Sequence, residues 1–137
     1  MTTPILSGGC LCGAVRYRAA GPPRARALCH CRSCRVGAGG TSVAWATVRT
    51  ETFAWEGEAP ASFASSPGVT RTFCGRCGTS LTYAHQDRAE EIDITTVTLD
   101  DPEAWAPVKE IFTAERVSWS PPVAGMPQFP GSSAGLS

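Results

Sequence analysis

The chain has 137 residues, a one-domain length able to bury a modest core, and its twelve basic side chains balance twelve acidic ones. Zero net charge gives no general attraction to nucleic acid or to an anionic membrane surface. No apolar run approaches the ~18 residues of a membrane helix, and Met1 to Gly9 lacks the basic and long apolar regions of a signal peptide. A cytoplasmic protein is therefore expected.

In chain order the pattern predicts short strands. Residues 14–18 alternate apolar and basic, as a half-buried strand does. Residues 42–48 and 52–55 are rich in Val, Trp, Phe and Thr around a short polar break. Residues 69–73 lead into a tight Cys74–Cys77 turn and 79–84 lead out of it. The clearest strand covers 91–99, dense in Ile, Val and Thr, and a weaker one covers 111–119. Eleven prolines and fourteen glycines argue against long helices. Helical turns are expected at 100–105, with an Asp cap and Pro102 near its start, and at 31–36 around a metal. From Pro121 onward an irregular tail (121–137) follows, mobile beyond Pro130. The reading is one mainly β domain over 1–137, with no linker that divides it.

Seven cysteines form three clusters, Cys10-x-Cys12, Cys29-x-Cys31-x-x-Cys34 and Cys74-x-x-Cys77. An odd number without a secretion signal favours metal binding over disulfides. Seven divides as four plus three. Cys74 and Cys77 form a knuckle that needs a second pair, and Cys10 and Cys12 supply it if an extended chain points them to one side. That four-thiolate set is expected to hold a structural zinc. Cys29, Cys31 and Cys34 lie on one short loop with no fourth ligand, the pattern of a zinc with an open position. Three thiolates make such an ion a poor Lewis acid but a good host for another sulfur, so a thiol is its natural guest.

Other residues are weighed against this frame. His30 lies between two ligands and would point away from them, and His85 reads as an ordinary surface or core histidine. Three cysteines at this spacing match no ferredoxin pattern. Arg32 and Arg35 flank the open site and either offset thiolate charge or hold a substrate carboxylate, while Arg76 reads as charge compensation. The four tryptophans read as core or groove aromatics. Gly37-Ala38-Gly39-Gly40 lacks the Lys-Ser/Thr ending of a phosphate loop.

Taken together, residues 8–17 (GGCLCGAVRY), 29–35 (CHCRSCR) and 73–81 (FCGRCGTSL), with 98–102 (TLDDP) and 125–129 (GMPQF), resemble the glutathione-dependent formaldehyde-activating enzyme family, also called the centromere protein V/formaldehyde-activating family. The resemblance runs over about residues 8–129. It implies a small Mss4-like, or β-tent, fold of short antiparallel strands with two zinc ions per chain. Cys10, Cys12, Cys74 and Cys77 would hold the structural ion, and Cys29, Cys31 and Cys34 the catalytic one. The implied activity is a carbon–sulfur lyase reaction that forms S-(hydroxymethyl)glutathione from glutathione and formaldehyde. The alternative is a non-catalytic zinc module that senses thiols or binds a partner. A chromatin-binding role, suggested by the centromere protein name, is disfavoured by the zero net charge and the absence of a basic tail.

Overall fold

The computed structural model describes residues 2–132. Its strands are β1 (Ile5–Gly9), β2 (Val15–Ala20), β3 (Ala25–Cys29), β4 (Val43–Arg49), β5 (Ala54–Gly57), β6 (Ala61–Ser66), β7 (Val69–Phe73), β8 (Ser80–His85), β9 (Glu91–Thr95) and β10 (Lys109–Ile111), with one α-helix, α1 (Arg32–Ala38). β1, β2 and β5 form a small antiparallel sheet, and the others form a seven-stranded sheet in the order β10-β3-β4-β9-β8-β7-β6. Every pairing is antiparallel except β10 with β3. The fold is mainly β, as expected. Among the described residues no helix is long and apolar enough to cross a membrane.

The core lies between the two sheets. Leu6, Val15, Tyr17 and Ala19 from the small sheet meet Ala46, Val48, Leu81 and Ile94 from the large one, all buried. Phe53 and Trp55 close one side, their rings 4.8 Å apart edge to face, and Phe53 stacks on Tyr17 at 5.6 Å. The Tyr17 hydroxyl pairs with Thr98 Oγ1 at 2.6 Å. Gly8 permits that approach, because a Cβ there would fall on the Tyr17 hydroxyl and the Thr98 carbonyl.

Local hydrogen bonding ends two predicted strands early. β9 stops at Thr95, four residues short of the predicted end. There Thr98 Oγ1 donates to the Thr95 carbonyl at 2.8 Å and residues 96–98 turn as a 3-10 helix. The predicted strand over 111–119 reduces to the end of β10. Phe112 adopts a left-handed conformation (φ 53°) and a 3-10 turn follows at Thr113–Glu115. The turn at Pro102–Trp105 forms without a side-chain cap from Asp101, and Asp100 instead accepts two hydrogen bonds from the Arg16 guanidinium. β1, β3 and β6 escape prediction because their Gly-, Ser- and Ala-rich runs carry little β signal. Trp119 is an exception to the expected aromatic burial, being 74% exposed.

The segment after Pro121 is irregular but fastened along β10. Glu110 and Phe129 exchange backbone contact, with Phe129 N donating to Glu110 O at 2.9 Å, and Phe112 N donates to Gly131 O at 2.9 Å. The expected mobility beyond Pro130 concerns mainly 133–137, which lie outside the described residues. The anchor is the fully buried Glu110 carboxylate. It accepts from His30 Nε2 (2.7 Å), Arg116 (3.1 Å), Val123 N (2.8 Å) and Gln128 Nε2 (2.6 Å).

Burial alone would raise the Glu110 carboxyl, but donation from Gln128, Val123 N, His30 and Arg116 reverses this and holds it at about 2. A depressed carboxyl contributes stability above its unfolded value near 4.5, and that contribution is lost as pH falls toward 2. Urea midpoints are expected to fall across that acid window. Glu110→Gln should lower stability at pH 7 by about 3 kcal/mol and flatten the dependence there.

Candidate metal centres and the adjoining cavity

The four-cysteine set is built from two turns. Cys10 follows β1, and Cys10–Gly13 turns back on itself with Gly13 N on Cys10 O at 3.1 Å and Gly13 at φ 81°. The expectation that an extended chain aligns Cys10 and Cys12 is thus corrected: a glycine-dependent turn does so. The second turn follows β7, with Gly78 N on Cys74 O at 2.8 Å and Gly78 also at φ 81°. The four sulfurs lie within 4.8 Å of one another, with Cys10 to Cys12 at 3.5 Å and Cys12 to Cys74 at 3.7 Å.

Backbone amides are aimed at these sulfurs, as thiolates require. Val15 N donates to Cys10 Sγ (3.3 Å), and Arg76 N and Cys77 N donate to Cys74 Sγ (3.3 and 3.4 Å). Thr79 joins the two turns, accepting from Leu11 N at 3.0 Å while its hydroxyl lies 3.2 Å from Cys77 Sγ. That contact, then backbone donation, pushes the Cys77 thiol down to about 5. Thr79 is a residue that sequence reasoning passed over; its place directly after Cys77-Gly78 is the only signal it offered. Arg76, expected to offset thiolate charge, forms a two-point pair with Glu58 at 2.6 Å, and its charge also acts on Cys12 and Cys74.

The three-cysteine set surrounds the start of α1. Cys29 ends β3, Cys31 caps the helix by accepting Cys34 N at 3.3 Å, and Cys34 lies in the first helical turn. Their sulfurs also converge within 4.8 Å. Cys29 and then Cys34 donate to Cys31 and push its thiol down to about 2, while the same exchange raises Cys29. His30 points away from the trio, as expected, into the Glu110 network. Convergent sulfurs with donated amides fit a thiophilic metal ion at both sets.

The two sets differ in what lies beside them. All three cysteines of the trio line a cavity of about 320 Å³ that also exposes Arg71, Arg88, Tyr83, His85 and Asp93. None of the four cysteines of the other set lines it. Burial raises the Asp93 carboxyl, which accepts the Thr47 hydroxyl at 2.6 Å. Arg88 is matched by Glu91 at 3.1 Å and Asp93 at 3.6 Å.

Arg71 has no carboxylate partner among the described residues. Its guanidinium lies 3.7 and 3.8 Å from Cys34 Sγ, 5.0 Å from the Tyr83 ring centroid, and is held by Ser65 Oγ at 3.1 Å. Arg32 and Arg35, the sequence candidates for substrate contact, do not line this cavity. Arg35 Nε donates to the His30 carbonyl at 3.1 Å, and the Arg32 amide donates to Glu115. Arg71 reaches the trio through sheet register on β7, which local sequence does not display.

The family model described as glutathione-dependent formaldehyde-activating enzyme matches residues 5–115. An uncharacterised lyase from Schizosaccharomyces pombe is 32% identical over 82 residues, covering 60% of this chain and 59% of that protein. The chain thus aligns with less than two thirds of that relative. A crystal structure of a Rhodobacter sphaeroides protein superposes with a TM-score of 0.58 at 22% identity, covering 69% of this chain and 87% of the other. This likeness shows a shared fold.

If the two sets hold metal independently, the wild-type protein should contain two ions per chain by atomic emission. Cys31→Ser is expected to lose one and keep its β circular-dichroism spectrum. Cys74→Ser should lose cooperative unfolding, because its set joins turns 62 residues apart in sequence.

Proposed function

The chain belongs to the glutathione-dependent formaldehyde-activating enzyme family, and from that membership and the geometry above we propose a zinc-dependent carbon–sulfur lyase that acts on a thiol adduct. Formation of S-(hydroxymethyl)glutathione from glutathione and formaldehyde is the specific reaction. The carrying observation is that three converging cysteines line a cavity together with Arg71, which has no carboxylate partner among the described residues, whereas none of the other four cysteines lines it.

In this reading Cys10, Cys12, Cys74 and Cys77 hold a structural zinc, and Cys29, Cys31 and Cys34 hold a catalytic one. Zinc in the trio supplies a position where an incoming thiol is held as thiolate at neutral pH. The remaining work falls to side chains. Arg71 offsets negative charge beside Cys34 and offers two N–H donors to a substrate carboxylate. Tyr83 and Ser65 fix its plane from two sides, so its donors stay oriented. This assigns the substrate-facing cation to Arg71 rather than to Arg32 or Arg35. The chain is read as one folding domain over 1–137 with the family core at about 8–129, because the four-cysteine set draws on two turns distant in sequence, and reduced thiols fit a cytoplasmic setting.

The test is the exchange rate between glutathione and its formaldehyde adduct, read by NMR above the uncatalysed background. Wild-type protein should accelerate it, and Cys31→Ser should lose at least ~100-fold. No acceleration by zinc-loaded wild type would end the lyase reading and favour the non-catalytic module. Arg71→Met should raise KM for glutathione about ten-fold with full metal content, and Arg71→Lys should recover part of the loss. An unchanged KM would remove Arg71 from substrate binding.

A further inference from the structure

A second cavity, of about 350 Å³, adjoins the first. The two share Cys34, Trp45 and Arg71 as common wall. Their linings differ in chemistry. The first cavity carries Arg88, Asp93 and His85, whereas the second has no charged group beyond the shared Arg71: Val43, Phe63 and Phe73 give it an apolar wall, and Ser62, Thr72, Ser80 and Thr82 add only hydroxyls. Phe63 stands 63% exposed at its edge, on the strand that pairs Phe63 with Arg71.

Formaldehyde has two heavy atoms and no apolar substituent. A chamber in the size range of ordinary ligand pockets, with an apolar wall beside the reacting trio, has nothing in that molecule to hold. We propose that the second cavity receives an apolar substituent on the aldehyde-derived carbon, so that the protein handles thiol adducts of larger apolar aldehydes as well. This rests on the lyase reading of the trio. The thiol portion occupies the first cavity, its sulfur lies at the trio, and the carbon bonded to sulfur faces across Cys34 and Arg71. In the forward direction the thiol adds across the carbonyl: the S–C bond forms, the π pair moves to oxygen, and the thiol proton ends on that oxygen. No electrons enter or leave.

Gly37 provides a clean way to fill the cavity. It lies in α1, it lines the cavity, and a Cβ built there meets nothing within 4 Å. Leucine at this position also suits a helix better than glycine. Ala38→Leu on the same wall is an independent second filler.

The measurement is calorimetric binding of two stable thioethers, S-benzylglutathione and S-methylglutathione, to zinc-loaded protein, alongside the formaldehyde exchange assay. Wild type should bind the benzyl compound at least ~10-fold more tightly, and Gly37→Leu or Ala38→Leu should cut that ratio by ~10-fold. Equal affinities in wild type, or a ratio that neither filler changes, would overturn the inference while measured formaldehyde exchange left the lyase reading in place. A benzyl preference abolished by the fillers, with no exchange activity in wild type, would uphold the apolar chamber and sink the lyase reading instead.

Discussion

The structure turns on β7, a five-residue strand whose last residue precedes Cys74 and whose third residue is Arg71. Cys74 must meet Cys10 and Cys12 for the four sulfurs to converge, and that meeting fixes the end of the strand against the turn after β1. From that end, antiparallel pairing with a register shift between Thr72 and Phe73 sets the rest. Arg71 pairs with Tyr83 on β8 and with Phe63 on β6, and its side chain is delivered to Cys34 from a strand distant in sequence. The structural set therefore also positions the cation of the other set. Loss of the four-cysteine cluster would displace Arg71 even where the trio itself stayed intact.

The trio is held from its opposite side by a different kind of constraint. His30 turns inward between two cysteines and donates to Glu110, and the same carboxylate holds Arg116, Val123 and Gln128. A carboxylate taken out of water is unfavourable unless its oxygens are fully supplied with donors, and here four reach it. The loop carrying Cys29 and Cys31 is thereby tied to β10 and to the segment after Pro121. What a pattern-based reading treats as a loose end is part of the wall behind the metal-binding loop.

These two constraints explain what the sequence displays and what it hides. Cysteine spacing is local, so the four-plus-three grouping is legible, and the sulfurs group that way in space. Strand propensity is also local, and residues 69–73, with Val, Thr and Phe, coincide with β7 for that reason. Arg71 is different. Nothing near it in sequence distinguishes it from Arg32 or Arg35, and proximity along the chain favours the latter two. Only the β7–β8 and β6–β7 registers bring Arg71 to Cys34, while α1 carries Arg35 toward the His30 carbonyl. The end of β9 is hidden likewise, because Thr96–Thr98 has high strand propensity yet Thr95 and Thr98 close a turn through their hydroxyls.

The same sulfur chemistry meets two different surroundings. Around the four cysteines, Gly13 and Gly78 allow the two turns, and backbone amides and Thr79 supply most of the donors, with Arg76 adding charge from outside. Around the three cysteines fewer backbone donors reach the sulfurs, and the balancing cation comes from a side chain facing a cavity. A side-chain cation can exchange a sulfur neighbour for a substrate carboxylate; a backbone amide buried in a turn cannot. That difference in the origin of the compensating charge, more than the difference between four ligands and three, separates a site suited to hold the fold from one suited to accept a guest.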